Sequence, residues 1–188
     1  MKEIGQYNVV QVVTNNGSAY KKAGKKLMEK FNLYWTTCAA HCMDLMLEDV
    51  GKRETISRVV KDARKITKFI YNHEIVLSKM REQGEGEIVR PGPTRFATNY
   101  LALTSLKGNK GGLRKMFTSD WWETATFCTT SIEKFVKSKV LDQTFWLHLD
   151  GVCKVFESMY TALCFVDIEV VPTLSKCLNL LCYELITL

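Results

Sequence analysis

The chain has 188 residues, 46% hydrophobic and 24% charged, with 26 Lys and Arg against 20 Asp and Glu. That balance is globular and excludes both a disordered chain and a peptide too short for a core. No apolar run reaches the length of a membrane span, and the opening MKEIGQYNVV has no signal-peptide apolar region, so an intracellular chain with its seven cysteines reduced is expected.

Residues 8–14 (NVVQVVT) carry four valines and end at Asn-Asn-Gly, which predicts a buried strand followed by a turn. Ser18 is placed to cap a basic helix over 20–31, with Ala23, Leu27 and Phe31 on one side. Residues 33–36 read as a second short strand and 38–50 as an amphipathic helix. Strand, helix, strand, helix is the order of an α/β layer with a parallel pair. Apolar residues then recur at spacings of three and four from Ile56 through Val59, Ala63, Ile66, Ile70 and His73 to Met80, which predicts one long helix over 55–82. Glycines and prolines make 83–93 a loop. A helix follows over 94–106, and KGNKGG at 107–112 is expected to break it into a surface loop. Trp121, Trp122 and the stretch 140–159 read as buried helical material, and the apolar segment 174–188 closes the chain.

Charge is unevenly placed. Residues 140–188 hold two basic and six acidic side chains, a net −4, which leaves +10 on residues 1–139. Three clusters supply the excess: Lys21 to Lys30, then Arg58, Lys61, Arg64, Lys65 and Lys68, then Lys107, Lys110, Arg114 and Lys115. Any one of them is what a solvated helix face carries; together they suit a polyanion, because counterion release from phosphates drives such binding.

Candidate chemistry is sparse. Cys38, His41 and Cys42 are the densest set of metal-ligand types, but a structural zinc takes two spaced pairs and only one cluster exists, so packed helix-start residues are the preferred reading. A Cys/His nucleophile three residues apart on one helix lacks the usual spatial assembly. The 107–112 segment has no preceding strand and no Gly-Lys-Ser/Thr ending, which argues against a nucleotide loop.

Taken in order, residues 9–24 (VVQVVTNNGSAYKKAG), 34–47 (YWTTCAAHCMDLML), 63–73 (ARKITKFIYNH), 90–99 (RPGPTRFATN), 114–119 (RKMFTS) and 140–146 (VLDQTFW) closely resemble the plant transposase-like domain of unknown function in the hAT (hobo and Activator) superfamily of DNA transposases. The resemblance implies an RNase H-like core interrupted by a helical insertion. Here that means a partial core over 1–52 and a mainly α-helical insertion over 53–188, in a truncated copy. It also implies a catalytic triad of carboxylates holding two Mg²⁺ or Mn²⁺ ions, since hard cations take anionic oxygen ligands. The second carboxylate of the family's V-V-T-D-N-G-S pattern is Asn15 in this chain, and the other two are expected outside it. Cys38 and His41 match the family's Cys-x-x-His motif; Thr94, Arg95 and Phe96 match its Thr-Arg-Trp/Phe element in the DNA-facing insertion.

The resulting expectation is a nuclear, catalytically inactive transposase relative with no cofactor of its own. It would bind DNA without sequence preference through Arg90, Arg95, Lys107 and Lys110 on loops, with Arg64 and Lys68 beside them. The alternative is a protein–protein interaction or dimerisation module that pairs with another copy or with an intact relative, using the apolar 174–188 segment.

Overall fold

The computed structural model describes residues 5–83, 86–90, 96–124 and 130–167. Among them are two strands, β1 (Gln11–Thr14) and β2 (Tyr34–Thr37), and nine α-helices: α1 (Ser18–Lys30), α2 (Ala39–Gly51), α3 (Glu54–Asn72), α4 (Glu74–Gln83), α5 (Phe96–Gly108), α6 (Lys110–Phe117), α7 (Asp120–Thr124), α8 (Ser131–Leu141) and α9 (Gln143–Asp167). The protein is therefore α-rich with a little parallel sheet. It divides into two compact units, one holding residues 5–46 and the end of α9 from Ala162, the other Leu47–Thr161.

In the first unit the strand–helix–strand–helix order predicted from the sequence forms. β1 and β2 pair in parallel, with Gln11 opposite Tyr34 and Thr14 opposite Thr37. The sheet is more open than four valines suggest. Val13 is 55% and Val10 69% exposed, because β1 has a single strand neighbour and the face bearing Gln11, Val13, Tyr34 and Thr36 is uncovered among the described residues. The expected buried strand over 8–14 is thus a short exposed one over Gln11–Thr14, after a 3₁₀ turn at Gln6–Asn8.

The opposite face of the sheet is organised by Trp35. Its indole lies against Gly24 of α1, and its Nε1–H donates to Thr14 Oγ1 at 2.9 Å. Only a residue without a side chain allows this approach, because a Cβ on Gly24 would stand 2.2–2.5 Å from the Trp35 ring atoms Cδ2, Cγ and Cδ1. This contact also corrects the predicted helix face. Gly24 is buried and Ala23 exposed, since the ring claims the position one residue further on. Ser18 is the first residue of α1 rather than its cap; Gly17 takes that place and makes no side-chain capping bond.

In the second unit α3 is the central element, in contact with α4, α5 and α8. The single predicted helix over 55–82 is two, because His73 leaves helical geometry at φ −123° and ψ 99°. Its amide bonds back to Ile70 O at 3.3 Å, and its carbonyl accepts the Leu77 N–H at 2.9 Å to start α4. The ring stabilises the bend: Nδ1 donates to Phe69 O at 2.8 Å while the imidazole lies 4.4 Å from the Phe69 ring. The apolar stripe survives the bend, with Ile66, Ile70, Val76 and Met80 all buried, so spacing by itself could not reveal it.

The predicted loop at 107–112 is instead a helix–helix junction one residue wide. α5 runs to Gly108, α6 starts at Lys110, and Asn109 between them is 3% exposed with its Nδ2 donating to Ser105 O at 2.9 Å. Here two helical hydrogen-bond ladders meet through one buried side chain, which overrides the low helix propensity of the glycines. Trp122 is 2% exposed and packs on Phe117 and Phe69 at ring separations of 4.3 and 6.2 Å. Trp146 donates its indole N–H to Val140 O at 2.7 Å, joining α9 to the end of α8. The segment 174–188 lies outside the described residues.

Gly-to-Ala changes separate these environments. Alanine in a helix interior is ordinarily worth about 1 kcal/mol over glycine. Gly151→Ala in α9, with nothing within 4 Å of the added methyl, is expected to stabilise by about 0.5–1 kcal/mol. Gly24→Ala must instead destabilise, by about 1–3 kcal/mol, because it overpacks Trp35. Chemical denaturation of both variants checks the pair; a stabilised Gly24→Ala would refute the packing.

Candidate functional site

The carboxyl end of a parallel strand pair is where ligands commonly sit in α/β folds. Here Thr14 and Thr37 end the strands, followed by Asn15 and by Cys38. The Cys38 amide donates to Thr14 O at 2.8 Å, which brings the two strand exits side by side. Cys42 Sγ donates to Thr37 Oγ1 at 3.3 Å, and Cys38, His41 and Cys42 are half-buried where α2 begins. The structure thus gathers Asn15 and the Cys38–His41 motif at one end of the sheet.

Asn15 is exposed and presents an amide, and Thr14, Thr37, Cys38, Cys42 and His41 add hydroxyls, thiols and an imidazole, none of them a carboxylate. These residues do not fit a pair of divalent cations, which need anionic oxygen. Among the described residues, no group of three or more His, Cys, Asp or Glu could hold a metal ion.

A second candidate lies on α3. Helical geometry places Arg58, Lys61, Arg64, Lys65 and Lys68 within about a third of the circumference. All five are exposed, while Val59, Ala63, Ile66 and Ile70 on the opposite side are buried. Beside this face is an open cleft of about 540 Å³ lined by Lys52, Glu54, Ser57, Arg58, Lys61, Asp62 and Lys65. Lys52 is held by Glu48 and Asp49, each at 3.0 Å, and those hydrogen bonds push its ammonium pKa up. Asp62 is mostly buried and pairs with Lys139 of α8 at 3.0 Å. Lys65 stands over the Phe135 ring of α8 at 4.7 Å, and Lys139 over the same ring at 5.9 Å. Arg58, Lys61 and Lys65 form no ion pair with a described residue.

The residues expected to meet DNA are dispersed. Arg64 and Lys68 are on the α3 face, although Arg64 also donates to Asn99 Oδ1 at 2.8 Å. Arg90 stacks on Tyr71 at 4.0 Å, and Tyr71 near the end of α3 fastens that segment by donating to Ile88 O at 2.6 Å. Burial and the Glu87 carboxylate raise the Tyr71 phenol pKa. Lys107 and Lys110 are helical and face α9, not loop residues: Lys107 pairs with Asp150, and Lys110 stands over Trp146 at 5.5 Å. Thr94 and Arg95 lie outside the described residues, and Phe96 is the first residue of α5.

Sequence reasoning placed Arg58, Lys61 and Lys65 in a cluster without selecting them as site residues. The signal was present, since they recur at i, i+3 and i+7 opposite the apolar stripe. Phe135 and Lys139 gave none, because they come from a helix about seventy residues further along the chain.

Residues 1–66 match the model of a domain of unknown function (DUF659). The match takes in the sheet, α1, α2 and α3 as far as Ile66, hence the strand exits and the residues lining the cleft, but not Lys68, Phe135 or Lys139. No curated protein and no solved structure matches the chain. None of the described helices is long and apolar enough to cross a membrane.

The Lys107–Asp150 pair is testable by pH. Hydrogen bonds from Lys107 and then Lys154 hold the Asp150 carboxyl below its ordinary value, and the Asp150 bond raises Lys107. A depressed carboxyl stabilises the fold above its unfolded-chain value, about pH 4, and that contribution fades as pH falls through the folded value. Asp150→Asn is therefore expected to melt below the wild type at pH 7, with the gap closing under about pH 4. A gap independent of pH would show that the pair is not electrostatic in origin.

Proposed function

We propose that this protein is a relative of the hAT transposases whose RNase H-like core is interrupted by a helical insertion, and that it acts by holding nucleic acid without cutting it. Support for the architecture comes from the parallel β–α–β unit and from Leu47–Thr161 falling, in sequence, between the two parts of the first unit. The match over residues 1–66 is compatible with it, and the sequence resemblance supplies the family.

One observation carries the binding role: five exposed cations on α3, segregated from the buried apolar residues Val59, Ala63, Ile66 and Ile70. Such a surface attracts a phosphate backbone, and phosphate contacts carry no sequence information. Catalysis is not proposed, because Asn15 supplies no charge where the family pattern has an acid. Nuclear location follows from the family resemblance and the DNA role.

A second reading, a module that pairs with another copy or with an intact transposase relative, is favoured by the sheet face left uncovered among the described residues, where Tyr34 is 72% and Val13 55% exposed. A clean monomer in sedimentation counts against it.

With a labelled duplex, affinity is expected to fall about 30- to 200-fold between 50 and 200 mM salt, as three to four phosphate contacts require, with similar values for unrelated sequences. With Mg²⁺ or Mn²⁺ present, the duplex should stay intact. Absent or salt-independent binding refutes the binding role; metal-dependent cleavage that Asn15→Ala abolishes refutes the loss of catalysis.

A further inference from the structure

We infer that the cleft beside the amino-terminal half of α3 is a phosphate seat, formed by Ser57, Arg58, Lys61 and Lys65. This rests on the nucleic-acid reading but goes further, since it moves the principal contacts away from Arg90, Lys107 and Lys110. The shared ligand chemistry is a phosphate group, on a nucleic-acid backbone or on a free nucleotide.

Charge bookkeeping inside the cleft selects these residues. Of the seven lining residues, Lys52 is neutralised by Glu48 and Asp49, and Asp62 by Lys139. What remains is Glu54 and the second carboxylate on Lys52 against Arg58, Lys61 and Lys65, an excess of one positive charge around an open space of about 540 Å³. The Asp62–Lys139 pair ties α3 to α8, and Phe135 of α8 lies under the Lys65 ammonium, so one wall of the cleft is held by packing rather than by solvent. Ser57 adds a hydroxyl that can donate to a phosphate oxygen. Glu54 in the first turn of α3 offsets the positive end of the helix dipole, so the seat depends on the side-chain cations. Along the axis, Arg58, Lys61 and Lys65 rise by about 4.5 and then 6 Å, which spreads the three cations along a strand rather than at one point.

By contrast Lys107 is occupied by Asp150, whereas Lys65 over Phe135 has no carboxylate partner among the described residues and keeps its charge. A cation paired with a carboxylate releases no counterion from a phosphate without first giving up that partner.

The test uses the full chain and a fluorescein-labelled 20-base-pair duplex, with anisotropy read from 50 to 200 mM salt. The triple variant R58Q/K61Q/K65Q is expected to lower the magnitude of the log K against log salt slope by about 2.7, and each single variant by about 0.9. S57D, which puts a negative charge in the seat, is expected to weaken binding, whereas K107Q leaves the slope unchanged. Thermal melts of all variants establish that these exposed positions leave the fold intact.

A wild-type slope retained in the triple variant overturns the seat while leaving DNA binding to other cations. If the duplex does not bind but inorganic phosphate or a nucleoside monophosphate shifts the amide resonances of residues 57–65, the seat stands for small phosphate esters and the nucleic-acid reading fails. Silence toward all three probes overturns both.

Discussion

Burial of one side of α3 is the constraint on which the second unit depends. The helix packs against α4, α5 and α8, and its inward residues Val59, Ala63, Ile66 and Ile70 are each at most 5% exposed. Each apolar side chain of that size contributes about 1.5–3 kcal/mol when taken from water, so the helix cannot rotate without losing several at once. Fixing the inward side also fixes the outward one. The basic residues face solvent because the apolar ones have nowhere else to go, and the candidate binding surface is a consequence of the core.

The same helix shows how a surface acquires a site. A row of lysines is ordinarily a solubility device. On α3 it becomes selective once neighbours have removed some charges and left others. Glu48 and Asp49 occupy Lys52, Asn99 engages Arg64, and Lys139 satisfies Asp62, while Arg58, Lys61 and Lys65 keep their charge toward an open cleft. In the first unit a smaller device does comparable positioning. Trp35, seated on Gly24 and bonded to Thr14, aligns α1 with the end of β1, and Asn15 and Cys38 come together at the strand exits. That end has the position of a ligand site in α/β folds, and Asn15, Cys38 and His41 bring no carboxylate to it.

Legibility in the sequence followed the range of the interactions. Local periodicity was enough for the presence of α1 and α2 and for the inward side of α3, because an amphipathic stripe is written in consecutive residues, but not for the inward side of α1, which Trp35 sets at Gly24. It failed at His73, where a ring-to-carbonyl bond bends the chain without breaking the stripe, and at 107–112, where glycines suggested a loop but buried Asn109 joins two helices. It failed again for Val10 and Val13, since a run of valines does not reveal how many strands will flank it. For the site, the cations were visible and their partners were not: Asp150, Trp146 and Lys139 lie 36 to 77 positions away from the residues they occupy.

By itself, then, the sequence determined the α-rich class with a parallel strand pair, the excess of positive charge in residues 1–139, and the amide at position 15. Those are properties of composition and short-range spacing, which no packing can alter. Only the tertiary structure decided which cations remain available. Availability depends on a carboxylate arriving from another helix, as Asp150 does at Lys107, and that is settled when the helices dock.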